Sequence, residues 1–285
     1  MGPPRRSYNC CGQRWPAQRE RVGPDTMSVR AGESDPVSRV EARDLSYVID
    51  GRAILRDIRF HVAEREVFAV MGMSGSGKTT LLRHIIGLVR PTSGDVLIDG
   101  QAIGHLSERE LGGVRRKMGM SFQYSALFDS LSVGDNVAFA LRHHTRLSDD
   151  EIHAVVSEKL ATVGMSGRES MMPADLSGGE RKRVGIARAL ALEPSIMLYD
   201  EPSSGLDPIM AGVIDELIVR LRDELDVTSI IVSHDVMHVF GIADRAVMLH
   251  EGSIIAEGAP ESLRRSDDGF VQQFISGSAA GPLTG

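Results

Sequence analysis

The sequence predicts an α/β fold, a largely parallel sheet with a helical insertion, and three observations predict it. Short apolar runs alternate with segments of helical period from Val40 to about Ala259, the pattern of strand–helix units laid side by side. One of these runs, Val67–Met71, opens into the glycine-rich stretch Gly72–Gly77 and then into a helical segment. The middle of the chain, roughly 105–175, reads as mostly helical.

Residues 1 to about 37 are rich in Arg, Pro, Gly and Ser without a hydrophobic period, so a disordered tail is expected there, with Met27 as an alternative start. Arg5 and Arg6 have no apolar stretch behind them, which argues against a secretory signal, and Arg6 stands where myristoylation at Gly2 needs Ser or Thr. The neighbours Cys10 and Cys11 cannot staple distant segments together and read as exposed thiols rather than a lipidation or redox site. Order begins with the alternation of Val40, Ala42, Leu45 and Tyr47 in a strand. Asp50-Gly51 signals a hairpin, and strands follow at Ile54–His61 and Val67–Met71. A helix then runs to about Val89, because Pro91 cannot continue it, and the strand Asp95–Ile98 ends at Asp99-Gly100.

Ser148 with Glu151 makes a capping box for a helix reaching Val163. A helix from Gly179 and a strand Ile196–Tyr199 come next. The following helix is opened by Pro208 and keeps its apolar period through Ile209, Val213, Ile214, Leu217 and Leu221. The strand Thr228–Val232, a hairpin of Ala246–Leu249 with Ile254–Ala256, and short helices complete the chain. No internal repeat is present, so the unit occurs once.

At 285 residues, 42% hydrophobic and 25% charged, the chain can bury a large core. No stretch approaches the roughly 20 apolar residues of a spanning helix, so a cytosolic protein that reaches a membrane only through a partner is expected. A net charge of −7 argues against nucleic acid as a partner, because phosphate backbones attract basic surfaces.

Gly72-Met73-Ser74-Gly75-Ser76-Gly77-Lys78-Thr79 fits G-x-x-x-x-G-K-[ST] in the strand–loop–helix context that gives the motif its meaning. Glycines let successive N–H groups turn inward on phosphate oxygens, and the helix opened by Lys78, Thr79 and Thr80 adds positive partial charge. Lys78 is expected to reach the β- and γ-phosphates, and the Thr79 hydroxyl to hold Mg²⁺. The apolar strand Ile196–Tyr199 delivers two acids, Asp200 and Glu201. Beside a phosphate loop, Asp200 suits the metal's water shell and Glu201 suits a base that polarises the attacking water.

Leu176-Ser177-Gly178-Gly179-Glu180, followed by Arg181-Lys182-Arg183, resembles the signature of ATP-binding-cassette (ABC) ATPases. Glycines and a serine at a helix N-terminus are again an anion site. The resemblance covers about Val40 to Ala259. It implies an ABC-type P-loop NTPase over residues 38–268, with a mostly parallel core sheet, an antiparallel β subdomain and a helical subdomain at about 105–180, followed by a C-terminal tail over 269–285. It implies ATP and Mg²⁺ as ligands. It also implies a head-to-tail dimer in which Ser177, Gly178 and Gly179 of one copy close on ATP held by the other. Gln123 matches the glutamine that senses Mg²⁺ and γ-phosphate, Asp207 in Gly205-Leu206-Asp207 the loop that crosses the dimer, and His234 the switch histidine on γ-phosphate. Tyr47 matches the aromatic that stacks on adenine, although a strand aromatic facing the core is the competing role. Every catalytic position holds the active residue, which speaks against a non-hydrolysing copy. One departure is Arg65 in Glu64-Arg65-Glu66, where the family usually carries Gly; a turn that avoids positive φ is expected there.

Three further stretches look like the ATPase of Mla-type, MCE-associated lipid transporters: Gln123–Val133 with Asn136–Phe139, Leu198–Ile209, and Met172-Pro173. That resemblance implies phospholipid movement between inner and outer membranes, integral permease subunits, an MCE lipid-binding protein, a small cytosolic regulatory subunit, and a place on the cytoplasmic face of the inner membrane. Tyr124, Leu127 and Phe128 either seat a permease helix or fill the helical insertion. The segment from about Gly269 either meets a partner or frays. The competing functions are the ATPase of an amino-acid or other small-solute importer, and a cytosolic ABC factor of repair or translation. The single cassette without a heptad run counts against the last.

Overall fold

The computed structural model describes residues 38–283. The N-terminal segment with Cys10, Cys11 and Met27 lies outside them. In chain order the elements are β1 (Ser38–Ile49), β2 (Arg52–Ala63), β3 (Val67–Met71), α1 (Lys78–Ile85), β4 (Ser93–Ile98), β5 (Gln101–Ala102), α2 (Glu108–Arg115) and β6 (Met118–Ser121). They continue with α3 (Val133–His144), α4 (Asp149–Thr162), a short 3-10 turn (Pro173–Asp175), α5 (Gly178–Leu190), β7 (Ile196–Asp200) and α6 (Pro208–Leu225). Last come β8 (Thr228–Ser233), α7 (Val236–Ile242), β9 (Arg245–His250), β10 (Ser253–Gly258), α8 (Pro260–Arg264) and α9 (Gly269–Ser276).

The strands form a four-stranded antiparallel sheet, β2-β1-β4-β5, and a six-stranded sheet, β10-β9-β3-β8-β7-β6, parallel except for β10. In β3, β7 and β8 every residue is buried, as a parallel sheet covered on both faces requires. Adjacent registers, Met71 opposite Ser233, Val232 opposite Asp200 and Tyr199 opposite Ser121, bring the C-terminal ends of β3, β8, β7 and β6 to one edge. That edge is where ligands bind in open α/β sheets.

Local signals set many boundaries. Asp50-Gly51 and Asp99-Gly100 adopt positive φ at both positions, the two-residue hairpin geometry that Asp-Gly favours. Ser148 and Glu151 cap α4 reciprocally, and Pro208 starts α6. Helix α1 ends sooner than Pro91 demands, at Ile85.

Three expectations are corrected. The middle segment, read as mostly helical, also contributes a strand that was not expected, Met118–Ser121 (β6), at the sheet edge. A Cβ on Gly119 would lie 2.5 Å from both the Ala189 carbonyl and the Met197 sulfur, so glycine is what lets β6 fit under α5. Arg65 does not avoid the left-handed region; its φ is 60°. The turn from β2 to β3 holds it there through a bond from its N–H to Thr228 Oγ1 at 2.9 Å and a guanidinium pair with Asp226 at 3.0 Å. Residues 269–283 are folded rather than frayed. Val271 is buried, Phe274 and Ile275 pack against the cluster around Met71 and Val239, and Gln273 Oε1 accepts the Leu283 N–H at 2.6 Å.

Asp99 joins the two sheets, its carboxylate accepting from Arg39 at 2.8 Å and from Lys117, just before β6, at 2.7 Å. Burial alone would raise its pKa, but these two cations outweigh it and hold the carboxyl below its ordinary value. A depressed carboxylate stabilises the fold above its unfolded pKa, and that contribution fades as pH falls through the folded value. Asp99→Asn is therefore expected to cost about 1 kcal/mol for so exposed a network, a fall of roughly 2–4 °C in Tm at neutral pH. Melting curves of both proteins should converge in acid.

Candidate functional site

The phosphate loop leaves β3 at Met71 and enters α1 at Lys78. Gly77 stands at φ 108°, and a Cβ there would come within 2.9 Å of Leu55 Cδ2, so the helix can start this close to β2 only with glycine. No side chain caps α1, and its first N–H groups are left to a ligand. Ser74 and Gly75 are exposed at the rim, and the buried Ser76 hydroxyl has no partner. Lys78 Nζ donates to the carbonyls of Gly72 at 2.7 Å and Met73 at 3.0 Å. Burial pushes its pKa down, while Glu201 and Asp200 push it up. A buried ammonium, an unpartnered hydroxyl and free helix amides together make a receptor for a multiply charged phosphate.

Asp200 ends β7 and Glu201 follows it, with only 7% and 8% of their surface exposed. Burial raises the Asp200 pKa, opposed by a 3.2 Å bond from the Thr79 hydroxyl. Thr79 and Asp200 are hard oxygen donors set side by side. Among the described residues no cluster of three or more His, Cys, Asp or Glu side chains surrounds a metal position. This donor set fits Mg²⁺, which keeps much of its water and takes its other ligands from substrate phosphates.

Glu201 lies in the left-handed region at φ 51°. Its N–H donates to the Val232 carbonyl at 2.9 Å, and its Oε2 accepts from His234 Nδ1 at 2.8 Å. A carboxylate only accepts, so Nδ1 carries the hydrogen of this bond. Capped by Asp235, α7 fixes the backbone just beyond His234. The imidazole thereby fixes the orientation of the Glu201 carboxylate.

Gln123 follows β6 and is half-buried, and its carbonyl accepts from Lys182 Nζ at 3.1 Å. Half-buried Tyr47 rests edge-on against His84 of α1 at 4.8 Å; one side of the ring serves the core. Thr80 receives the His84 ring through its carbonyl. Tyr124 is 86% exposed, Leu127 packs into the core beneath α3 and α5, and Phe128 meets Phe139 in a tilted ring contact at 4.8 Å. Of the three apolar residues after Gln123, then, Leu127 fills the insertion and Tyr124 is offered outward.

The fold brings Lys78, Thr79, Asp200, Glu201 and His234 together, with Gln123 tied to Glu201 through Lys182. Ser177, Gly178 and Gly179 go elsewhere. Ser177 caps α5 reciprocally with Glu180, and a methyl on Gly179 would touch Met210 Cε at 2.7 Å, so the signature lies against the start of α6. Asp207 spends its carboxylate on capping that helix, accepting from the N–H groups of Ile209 and Met210 at 3.0 Å each. Lys182 went unassigned among the basic residues Arg181–Arg183. Its signal was the buried stripe Gly179, Lys182, Ile186, Leu190, which puts this cation on the apolar face.

A family model described as ABC transporter matches residues 55–204. The chain is 46% identical over 244 residues to the intermembrane phospholipid transport system ATP-binding protein MlaF of Haemophilus influenzae, covering 86% of this chain and 92% of that one. It is 43% identical over 251 residues to MlaF of Escherichia coli K12, covering 88% and 93%. It is also 40% identical over 244 residues to the probable ribonucleotide transport ATP-binding protein mkl of Mycobacterium leprae, covering 86% and 70%. Among solved structures it resembles the dimeric, post-hydrolysis ATP-binding cassette MJ0796 bound to ADP and Pi, with TM-score 0.72, 32% identity and coverage of 78% and 98%.

Proposed function

This chain belongs to the ATP-hydrolysing subunits of ABC transporters, and from that premise we propose that it powers phospholipid transport between two membranes as one half of a head-to-tail homodimer. The observation that carries this reading is the similarity to MlaF along nearly the whole of both chains. Among the described residues no helix is long and apolar enough to cross a membrane, so the power stroke acts on separate permease subunits. The exposed Tyr124, on the segment after Gln123, is the seat offered to a permease helix. The remaining partners of the proposal are an MCE lipid-binding protein and a small cytosolic regulatory subunit, with the ATPase at the cytoplasmic face of the inner membrane.

Within the site, Lys78 and the loop amides grip the β- and γ-phosphates, and Tyr47 supports the adenine. Thr79, Asp200 and Gln123 are the residues to hold Mg²⁺, which when bound neutralises phosphate charge. Glu201 takes up the proton of the attacking water, with His234 steadying it beside the γ-phosphate. Ser177, Gly178 and Gly179 of the second copy close over the same triphosphate, and Asp207 stands on the loop between the copies. Cleavage replaces one bridging triphosphate by two repelling anions, and the dimer reopens.

Purification from native membranes tests the cargo. Co-isolation of a permease, an MCE-type protein and phospholipid, with ATP-dependent lipid transfer in reconstituted vesicles, is the expected result. A solute-binding protein without lipid would replace this reading by a small-solute importer, and ribosomes or DNA would remove transport altogether.

A further inference from the structure

Two loops of the site carry non-glycine residues in left-handed backbone: Glu201 at φ 51°, and Ser125 and Ala126, just after Gln123, at 61° and 45°. Residues with a Cβ persist there only where their surroundings hold them. One face of α5 supplies the hold. Lys182 Nζ donates to the Glu201 carbonyl at 2.9 Å and to the Gln123 carbonyl at 3.1 Å. Two turns on, Arg188 donates to the carbonyls of Ser125 at 2.9 Å and Ala126 at 2.6 Å. Gly185 between them lets the helix close on Ser125, whose Cβ would meet an added methyl at 3.4 Å. The three positions recur at intervals of three, on one side of the helix.

Lys182 is 7% exposed, an unusual place for an ammonium. Burial pushes its pKa down, and the carboxylates of Glu201 and Asp200 push it back up. Neither of its carbonyl partners belongs to α5, so it is not capping its own helix, and each partner comes from a different catalytic loop. We infer that Lys182 is a positioning residue for hydrolysis, fastening the main chain of Glu201 and the Gln123 loop to the signature helix so that the three keep one relative placement. A shift of the Gln123 loop then moves the Glu201 backbone without touching the nucleotide. This inference rests on the assignment of Glu201 as the base.

The test is a cycle in the complete transporter complex using Lys182→Met, Lys182→Gln, Glu201→Gln and the Met/Gln double variant. Lys182→Met is expected to lower kcat about ten- to hundred-fold, with KM and ATP affinity within about twofold. Lys182→Gln, which keeps N–H donors, should regain most of the loss. Because Lys182 acts through Glu201, adding Lys182→Met to Glu201→Gln should lower the residual rate no further. Turnover of Lys182→Met within twofold of the parent overturns the inference, as does an equal loss in both backgrounds, which is what a merely structural lysine would give. Should Lys182→Met not fold, Lys182→Ala, which likewise removes the donors, carries the same cycle, its loss expected in the parent background and absent beside Glu201→Gln. A Glu201→Gln single variant that hydrolyses normally would instead remove the base assignment, and that arm is read separately.

Discussion

Replacing Glu201 with Gln is expected to lower ATP turnover by about 10²–10⁴-fold while leaving ATP affinity within a few-fold of the parent. The amide has the carboxylate's shape and can still accept the hydrogen bond that His234 Nδ1 makes at 2.8 Å. The backbone hold through Val232 and Lys182 does not involve the side chain at all. What the substitution removes is the capacity to take a proton from water, which matters in the transition state and not in the bound state. Binding should therefore still close two copies on ATP, and without cleavage the closed dimer should accumulate. Phosphate release and gel filtration with ATP present measure the two halves separately. Parent-like phosphate release would take Glu201 out of the mechanism; loss of affinity in step with the rate would make it a binding residue.

How much of this could be read from the chain depends on whether a signal is local. Asp50-Gly51, Ser148 with Glu151, and Pro208 each act through backbone preferences of their own or adjacent residues, and each sits where the sequence places it. The phosphate loop and the Asp200-Glu201 pair are local in the same sense. Strand β6 is not, since Met118-Gly119-Met120-Ser121 has little strand preference and becomes a strand by pairing with β7 under α5. Arg65 takes the left-handed turn because Thr228 and Asp226, far along the chain, receive its N–H and its guanidinium. In α9 the helical spacing of Phe270, Val271, Phe274 and Ile275 was masked by the Gly, Ala and Ser residues around it. Lys182 lay on a legible buried stripe, but its two acceptors come from loops that only the folded sheet brings together.

The composite nature of the proposed site makes the last expected result unusually discriminating. Ser177→Arg should abolish hydrolysis, because an extended cation would occupy the space where α5 of one copy meets triphosphate on the other. Part of any loss could come from the cap itself, as Ser177 and Glu180 bond reciprocally and removing such a cap costs about 1 kcal/mol. Ser177→Ala, which loses the cap without adding bulk, measures that share. Lys78→Ala should be inactive for a different reason, the loss of the ammonium that grips phosphate. If loop and signature act across the dimer, mixing these two dead proteins rebuilds one intact site in every mixed pair, from the loop of the Ser177→Arg copy and the signature of the Lys78→Ala copy. Random exchange makes about half the dimers mixed, each with one of two sites intact, so about a quarter of parent activity should return. If loop and signature instead served the same copy, every site in the mixture would carry a defect and no activity could appear. ATPase assays on the mixture, with each variant alone as control, separate the two arrangements; within one copy the helix that Ser177 caps has Gly179 of its first turn packed against Met210 of α6.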